Sequence, residues 1–381
     1  MTDLESPVLI VGGGGAGLTA SMLLSGLDVP SLLVSALPTT SVLPKAHVLN
    51  QRTMEILADA GAADAIYAQG TPRANMSHTG FYAGFAGWPG AGRRIGLVEA
   101  WGGGGADLDW EAASPLASTN LPQIRLEPIM RDRAEQLAPG MVRFGHELVG
   151  FEQDDEGVTS TIRERETGAE YSVRSAYLFA CDAGRKVGPQ LGVEMVGARD
   201  LGNVVSIHMT ADLSPWATDP EVLIRWIWVP HMASLATLVP MGPTRWGPDS
   251  EEWVFHLIYA FEDPRALEDA EVEADMREAL GIGDHPVEVH LMTRWELMAS
   301  SRRAFGSAVP SCWVMPPTGT PRLAVSVSPV PPRTSTTCAG RSRRCSMALP
   351  PTPSSTPMSP SEDRRSSGTL TILSRARSIT W

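Results

Sequence analysis

The sequence predicts an α/β protein with a doubly wound, Rossmann-like domain, a smaller α+β domain and a C-terminal tail that is disordered or non-native. Three observations lead to this prediction. The apolar run Val8–Val11 enters a glycine-rich turn and a helix signal; residues 148–173 alternate apolar and polar side chains; and residues 203–294 combine aromatic strand signals with one acidic helix signal. The continuous apolar run is typical of a strand buried on both faces, and the alternation is typical of half-buried strands.

The first strand ends in a glycine motif. Gly12, Gly14 and Gly17 fit G-x-G-x-x-G directly after an apolar run and before a helix signal. Gly12 permits the tight turn, Gly14 lets the backbone approach a pyrophosphate, and Gly17 lets the helix pack closely while its N-terminus faces the phosphate charge. The motif predicts dinucleotide binding; a plain glycine turn is the alternative.

A second short strand is predicted at residues 31–34, at the distance that a βαβ unit requires. Its end should carry an acidic residue for a ribose hydroxyl, but Ser35 stands there. The Ser35 hydroxyl is a candidate for the same bond, and a solvent-facing loop serine is the alternative.

Composition limits the class of protein. The 381 residues suffice for about two domains. No apolar run has membrane-spanning length and the N-terminus lacks a basic start, so we expect a cytoplasmic protein that binds neither membrane nor nucleic acid. The four cysteines lack metal-ligand spacing and favour a reducing compartment without a metal site. A homodimer remains an open expectation.

The string K-A-H-V-L-N-Q-R-T-M-E-I-L at residues 45–57 has helical spacing from Arg52 to Ala60, with a cap near Asn50. It resembles the R-A-H-x-x-N-x-R-T-M-E-I-L segment of single-component, FAD-dependent aromatic hydroxylases, especially the phenol and chlorophenol branch. By that resemblance, Lys45 replaces an arginine that lies against the flavin and its phosphates. His47 takes a position that faces the substrate; a helix-entry histidine is the alternative.

A second string, L-P-Q-I-R-L-E-P-I-M at residues 121–130, resembles the L-P-Q-x-x-L-E-P-I-L of the same family. There the glutamine, Gln123 here, bonds the flavin side chain. A polar residue that merely precedes a helix is the alternative. The glycine- and tryptophan-rich residues 80–110 are interpreted as loops that cross toward the substrate domain.

Residues 148–152, 158–163 and 170–173 predict a three-stranded meander, with turn signals between them. A buried strand at 177–181 follows and ends in Asp182, where open α/β sheets bind ligands. The family has Asp-Gly here, used for both flavin and NAD(P)H. Ala183 departs from that pattern and resists the positive φ that glycine accepts.

Strands are predicted at residues 204–209, 222–228, 235–239, 253–259 and 287–292, and an acidic helix at 265–280. Trp226, Trp228 and Met241 are candidates for lining an apolar pocket, with plain core packing as the alternative. The histidines of this region, His208, His231 and His256, are interpreted as packing or surface residues.

The predicted organisation follows from these segments. Residues 1–75 and 111–190 form the FAD-binding domain, 76–110 a loop-rich crossing segment, 191–295 the substrate domain, and 296–381 the tail. His47 is the catalytic candidate. The predicted cofactor residues are Gly12, Gly14, Gly15, Ala16, Gly17, Ser35, Lys45, Gln123, Asp182 and Gly184.

The resemblance implies an FAD-dependent monooxygenase that uses NAD(P)H and O2 to hydroxylate a phenol ortho to its hydroxyl group. His47 would contact or deprotonate the phenol, because a phenolate ring is the better nucleophile and imidazole titrates in the right range. A flavin-dependent halogenase or reductase is one alternative. A catalytically defective flavoprotein remnant is the other.

The second alternative comes from the tail. Residues 301–381 hold eleven arginines, no lysine and two acidic residues, a net charge of +9 that leaves −21 on the first 300 residues. The family's Gly-Asp-Ala-Ala-His motif, which faces the flavin, is absent, and residues 311–321 stand in its place. A basic tail for nucleic acid would be the plain interpretation.

The genetic code suggests another interpretation of the tail. If the third base of each codon begins the next triplet, residues 312–321 permit Leu-Gly-Asp-Ala-Ala-His-Arg-His-Pro, and 332–341 permit Gln-Asp-Val-His-Asn-Leu-Cys-Trp-Lys. Both runs resemble the family's motif and its following helix. We therefore expect the chain to leave its ancestral frame between about residues 295 and 300.

Sequencing the coding DNA tests this prediction. The expected result is a one-base displaced frame that encodes the two family runs. Codons that forbid Gly-Asp-Ala-Ala-His in that frame would refute the displacement.

Overall fold

The computed structural model describes residues 4–85, 92–103, 105, 107–193, 195–229, 234–302 and 312–314. This part of the chain forms α-helices and four β-sheets. The helices are α1 (Gly15–Gly26), α2 (Gln51–Asp59), α3 (Ala63–Gln69), α4 (Asp107–Ala113), α5 (Gln123–Leu137), α6 (Val187–Gln190) and α7 (Asp269–Leu280).

The strands, in chain order, are β1 (Leu4–Glu5), β2 (Val8–Val11), β3 (Ser31–Ser35), β4 (Val48–Leu49), β5 (His78–Ala83), β6 (Arg93–Glu99), β7 (Thr119–Asn120), β8 (Val142–Phe144), β9 (His146–Asp154), β10 (Gly157–Glu164), β11 (Glu170–Ser175), β12 (Tyr177–Ala180), β13 (Met195–Thr210), β14 (Val222–Val229), β15 (Ser234–Gly242), β16 (Glu252–Tyr259), β17 (Glu288–Arg302) and β18 (Cys312–Val314).

A five-stranded parallel sheet, in the order β18-β12-β2-β3-β8, forms the centre of the first domain. Alternate residues of β2 point to different layers: Val8 and Ile10 pack with α1 and α5, whereas Leu9 and Val11 pack with the β9–β11 meander. Both faces are therefore covered, which explains why the β2 sequence has no polar residue. The predicted fold class is confirmed.

The second domain is built on a seven-stranded sheet in the order β17-β13-β16-β15-β14-β5-β6. One face packs against α7 in a large apolar core that includes Phe255 and Met276. The opposite face packs against β4 of the first domain, where Val48 joins a cluster with Ile224, Val239 and others. This second face lies toward the predicted site.

The interpretation of residues 80–110 as loops is wrong for much of that span. β5 and β6 form the edge of the seven-stranded sheet, and β5 pairs in parallel with β14. The glycines weaken the local strand signal, but hydrogen bonds to β14, more than 130 residues away in sequence, still form the strand. Residues 86–91 lie outside the described part.

The prediction that the chain stops folding at residue 296 is also wrong for two short segments. β17 continues to Arg302 along β13, and β18 pairs in parallel with β12. Strand pairing uses main-chain N–H and C=O groups, which non-proline residues carry in any reading frame. The rest of the predicted tail, 303–311 and 315–381, lies outside the described residues.

An ionic cluster connects the domains. Arg125 of α5 contacts Glu252 of β16 at 2.9 Å and donates to the carbonyl of Met241, while His208 Nε2 lies 2.7 Å from the same Glu252 carboxylate. Burial alone would raise the pKa of Glu252, but the bonds with His208 and Arg125 lower it to about 2.

No helix among the described residues has the length and apolar character needed to cross a membrane.

Candidate functional site

The glycine turn joins β2, α1 and β12 at distances that exclude side chains. A Cβ atom on Gly17 would overlap the carbonyl oxygen of Gly12, and one on Gly12 (φ 116°) would overlap that of Cys181. Gly14 is the N-cap of α1 and supplies no side-chain hydrogen bond to it. The helix therefore starts with backbone amides that need an anionic or polar partner.

Glu127 supplies one such partner. Its buried carboxylate accepts from the amide of Gly15 (3.1 Å), from the amide of Ser41 (2.7 Å) and from Gln123 Nε2 (2.5 Å). Sequence reasoning gave Glu127 no role, although it stands in the second family-like string. Glu127 follows Gln123 by four residues, so both lie on one face of the helix. This spacing is the signal in the sequence that could have identified Glu127.

Gln123 ties several segments together. Its backbone amide donates to the carbonyls of Pro44 and Ala46, and its side chain is 4% exposed. Its Oε1 atom is buried and has no partner among the described residues. Buried acceptors are normally satisfied, so this oxygen is available to a ligand donor.

Lys45 lies between those two carbonyls. Its side chain is exposed and its backbone is left-handed, with φ 46°. A non-glycine residue in this region costs on the order of 1–3 kcal/mol, and such residues cluster at ligand sites. The hydrogen bonds on either side, from Gln123, hold the conformation in place.

Ser35 is buried at the end of β3, so the interpretation of a solvent-facing serine is wrong. A Cβ on Gly13 would come within 2.8 Å of the Ser35 Cβ, which shows how closely the residue lies against the glycine turn. The Ser35 hydroxyl accepts a long bond of 3.4 Å from the amide of Leu37.

Asp182 also lies against this turn, since a Cβ on Gly12 would be 3.0 Å from its amide nitrogen. The Asp182 carboxylate accepts from the amides of Gly184 (3.0 Å), Lys186 (2.6 Å) and Val187 (3.0 Å). Ala183 adopts φ 57° and Gly184 φ 73°. The turn that Ala183 was expected to resist therefore forms, with the alanine in the left-handed region.

His47 is fully buried just before β4. Its Nδ1 lies 2.6 Å from Asn120 Oδ1, and its Nε2 has no partner among the described residues. Burial lowers the pKa of His47 to about 4, and the bond with Asn120 offsets part of that effect. The imidazole is therefore neutral at physiological pH and has a free ring nitrogen.

The wall beside His47 comes from the seven-stranded sheet. Directly paired residues on one face run Ser206, His256, Thr237, Trp226 and Phe81. Phe81 and Trp226 stack with ring centroids 6.4 Å apart, and Trp226 packs against the cluster that contains Val48. The face therefore combines two stacked aromatic rings with the polar side chains of Ser206, His256 and Thr237.

His256 belongs to this wall and is buried, in agreement with its interpretation as a packing residue. Burial, with a smaller contribution from the charge of the nearby His47, lowers the pKa of His256 to about 3. Ser206 Oγ lies 2.7 Å from His256 Nδ1 and accepts from Trp295 Nε1. The pairing of Ser206 with His256 follows from the register of β13 and β16, which the sequence alone does not show. His231 lies outside the described residues, and no group of three potential metal ligands occurs within them.

Known proteins resemble this chain in both sequence and fold. A family model described as "FAD binding domain" matches residues 5–307. The phenol 2-monooxygenase of Pseudomonas sp. (strain EST1001) is 33% identical over 310 residues, which cover 77% of this chain and 46% of that protein. The 2,4-dichlorophenol 6-monooxygenase of Delftia acidovorans is 30% identical over 299 residues, 77% of this chain and 49% of its own length.

Among solved structures, the flavin-dependent monooxygenase PieE in complex with FAD and substrate has a TM-score of 0.75 and 34% identity, covering 86% of this chain and 57% of that one. A ternary complex of aklavinone-11 hydroxylase with FAD and aklavinone has a TM-score of 0.69 at 23% identity, which supports the fold. The chain spans about half the length of the curated relatives it matches.

Replacing Glu127 by glutamine should destabilise the protein by about 1–3 kcal/mol, because an amide NH2 would then face backbone or side-chain donors. Urea unfolding measures the change. Asp132→Asn makes the same chemical change on an exposed position of α5 and should stay within about 0.5 kcal/mol. Equal stability of E127Q and the parent would contradict the assigned bonds.

Replacing Ala183 by glycine should stabilise the folded state by about 0.5–1 kcal/mol, since the left-handed conformation costs an L-residue about 1–2 kcal/mol and glycine adds unfolded-state entropy. The reciprocal control is Gly184→Ala, which should destabilise at φ 73°. Thermal unfolding of both variants measures the direction of each stability change. A loss of stability in A183G would contradict the proposed backbone strain at Ala183.

Proposed function

The chain belongs to the FAD binding domain family, and from this premise we propose that it is an FAD-dependent monooxygenase that hydroxylates a phenol with NAD(P)H and O2. One observation carries the proposal: a buried, neutral His47, whose Nε2 has no partner among the described residues, lies near His256 on the sheet face that also carries Trp226. The similarity to phenol and dichlorophenol monooxygenases supports the choice of substrate class.

The residues of the turn fit FAD. Gly12 and Gly17 leave room for the backbone to approach a pyrophosphate, and Gln123 offers a buried oxygen that lacks a donor. Among the ten cofactor residues proposed from sequence, Gly14 and Ala16 would line the phosphates, Gly15, whose amide donates to Glu127, would lie beside them, and Gln123 and Lys45 would lie at the flavin side. Asp182 and Gly184 border the same turn, and Ser35 lies behind it.

FAD, when bound, supplies the electron transfer and the reaction with oxygen. The overall balance is phenol, NAD(P)H, H⁺ and O2 giving catechol, NAD(P)⁺ and water. The chain itself must bind and orient the ring, exclude water and manage the phenol proton. Trp226, Trp228 and Met241 are the proposed apolar lining, and Met241 lies in the cluster with Val48.

His47 is the proposed hydrogen-bond acceptor for the phenol hydroxyl; burial lowers its pKa below the range in which the sequence analysis expected it to titrate, so it does not take the proton. Its pKa of about 4 means that the ring is neutral above that pH and can accept a hydrogen bond from the phenol hydroxyl through Nε2. That bond increases electron density in the aromatic ring, which favours attack at the ortho carbon. The buried position keeps water from competing for Nε2.

We propose the domain boundaries that were predicted from the sequence, with two changes. Residues 78–99 join the substrate domain through β5 and β6, and the substrate domain extends to residue 302 through β17.

A second candidate, a catalytically defective flavoprotein remnant, is favoured by the missing Gly-Asp-Ala-Ala-His motif in residues 301–381. The first candidate then applies to the ancestral chain and the second to the chain as written. A chain produced from DNA with the frame restored separates the two.

Both chains should be purified, titrated with FAD by flavin fluorescence, and incubated with NAD(P)H, O2, chloride and phenols. The restored chain should bind FAD and form catechols, and His47→Gln in it should lower kcat by about 10²-fold. A halogenated product, or NAD(P)H oxidation without catechol, would replace the proposal by a halogenase or a reductase. Tight FAD binding and catechol formation by the chain as written would reject the defective remnant.

A further inference from the structure

Three buried side chains form a line that ends at His47. Asn120 Nδ2 donates to Thr71 Oγ1 at 2.7 Å, and Asn120 Oδ1 lies 2.6 Å from His47 Nδ1. Asn120 and His47 are fully buried and Thr71 is 5% exposed. Thr71 and Asn120 lie 49 residues apart in sequence; Asn120 was described above as the partner of His47, and Thr71 was not part of that site.

Backbone hydrogen bonds fix all three residues relative to one another. The Thr71 amide donates to the Asn120 carbonyl at 2.8 Å, and the Leu121 amide donates to the His47 carbonyl at 2.8 Å. Val48 and Asn120 are paired residues of β4 and β7. The side chains therefore meet in one geometry.

The donor and acceptor inventory then assigns the proton. An asparagine side chain has one acceptor oxygen and one donor nitrogen. With Nδ2 bound to Thr71, Asn120 presents only its oxygen to His47, so Nδ1 of the imidazole must donate. A neutral imidazole has a single N–H, and Nε2 is therefore the acceptor.

We propose that Asn120 and Thr71 are positioning residues that hold His47 as the Nδ1–H tautomer, so that Nε2 accepts a hydrogen bond from a phenolic hydroxyl. This inference rests on the proposed function for its ligand, but its proton assignment does not. Both positioning side chains are neutral, and neither stabilises an imidazolium as a carboxylate would. The site therefore accepts a phenol by hydrogen bonding to a neutral base.

A flipped amide gives the opposite result. If Asn120 Nδ2 pointed to His47 and the Thr71 hydroxyl donated to Asn120 Oδ1, His47 would carry its proton on Nε2 and could not accept there. The ring nitrogen that carries the proton therefore distinguishes the two arrangements.

The decisive experiment is ¹⁵N NMR of the full chain labelled at histidine, without flavin or substrate. His47 is assigned by the signals that disappear in His47→Gln. The expected result is a pyrrole-type resonance for Nδ1 and a pyridine-type resonance for Nε2 at pH 7. The reverse pattern overturns the proposal, whatever reaction the protein catalyses.

Variants test the role of Thr71. Thr71→Val removes the hydroxyl but keeps the shape, and we expect a mixture of His47 tautomers in this variant. Thr71→Ser keeps a hydroxyl and should restore the single Nδ1–H tautomer. Thr53→Val is the matched control, because the Thr53 hydroxyl is buried and has no partner among the described residues. A single unchanged tautomer in T71V overturns the role of Thr71.

Asn120→Asp provides a second variant with nearly unchanged shape. The carboxylate still accepts from Nδ1–H and should keep the proton there, while imidazolium forms at a higher pH than in the parent. A proton that moves to Nε2 in N120D would overturn the assignment.

Kinetics of the frame-restored chain connect the tautomer to the reaction. T71V should lower kcat by about tenfold with little change in KM, and T71S should recover the rate. An unchanged kcat in T71V together with mixed tautomers would overturn the positioning role. If neither chain hydroxylates phenols, the proposed function fails while the NMR result still decides the proton assignment.

Discussion

The close contact of α1 with β2 and β12 is the constraint on which the rest of the structure depends. Gly12 and Gly17 are the points where helix and strands approach so closely that a Cβ atom would overlap backbone oxygen. This contact places the first amides of α1 beside the Asp182 turn at the carboxyl end of the parallel sheet. Such a location, at a helix N-terminus and a sheet edge, is where phosphates bind in α/β proteins.

The buried carboxylate of Glu127 extends this arrangement to distant segments. A buried charge needs hydrogen-bond donors, and here they come from Gly15, Ser41 and Gln123. The same Gln123 holds the backbone on both sides of Lys45. The glycine turn, the segment before His47 and the start of α5 are therefore parts of one hydrogen-bonded unit.

Local patterns predicted much of this fold. The four apolar residues of β2, the alternation of the meander and the Asn50 cap of α2 all appear where the sequence indicates, because burial and capping act over a few residues. Predictions failed where partners are remote. β5 and β6 were taken for loops because their glycines weaken the local signal; β14 pairs with β5, and β5 in turn pairs with β6.

The sequence by itself determined the nucleotide-binding turn, the family resemblance and the candidacy of His47, since each depends on residue types at fixed short spacing. Only the tertiary structure decided what surrounds them. Glu127 at the start of α1, His256 in the wall and Asn120 beside His47 are set by strand register and helix packing. The reason is physical: a hydrogen bond depends on the distance between two atoms in space, and the chain brings together residues that its order keeps far apart.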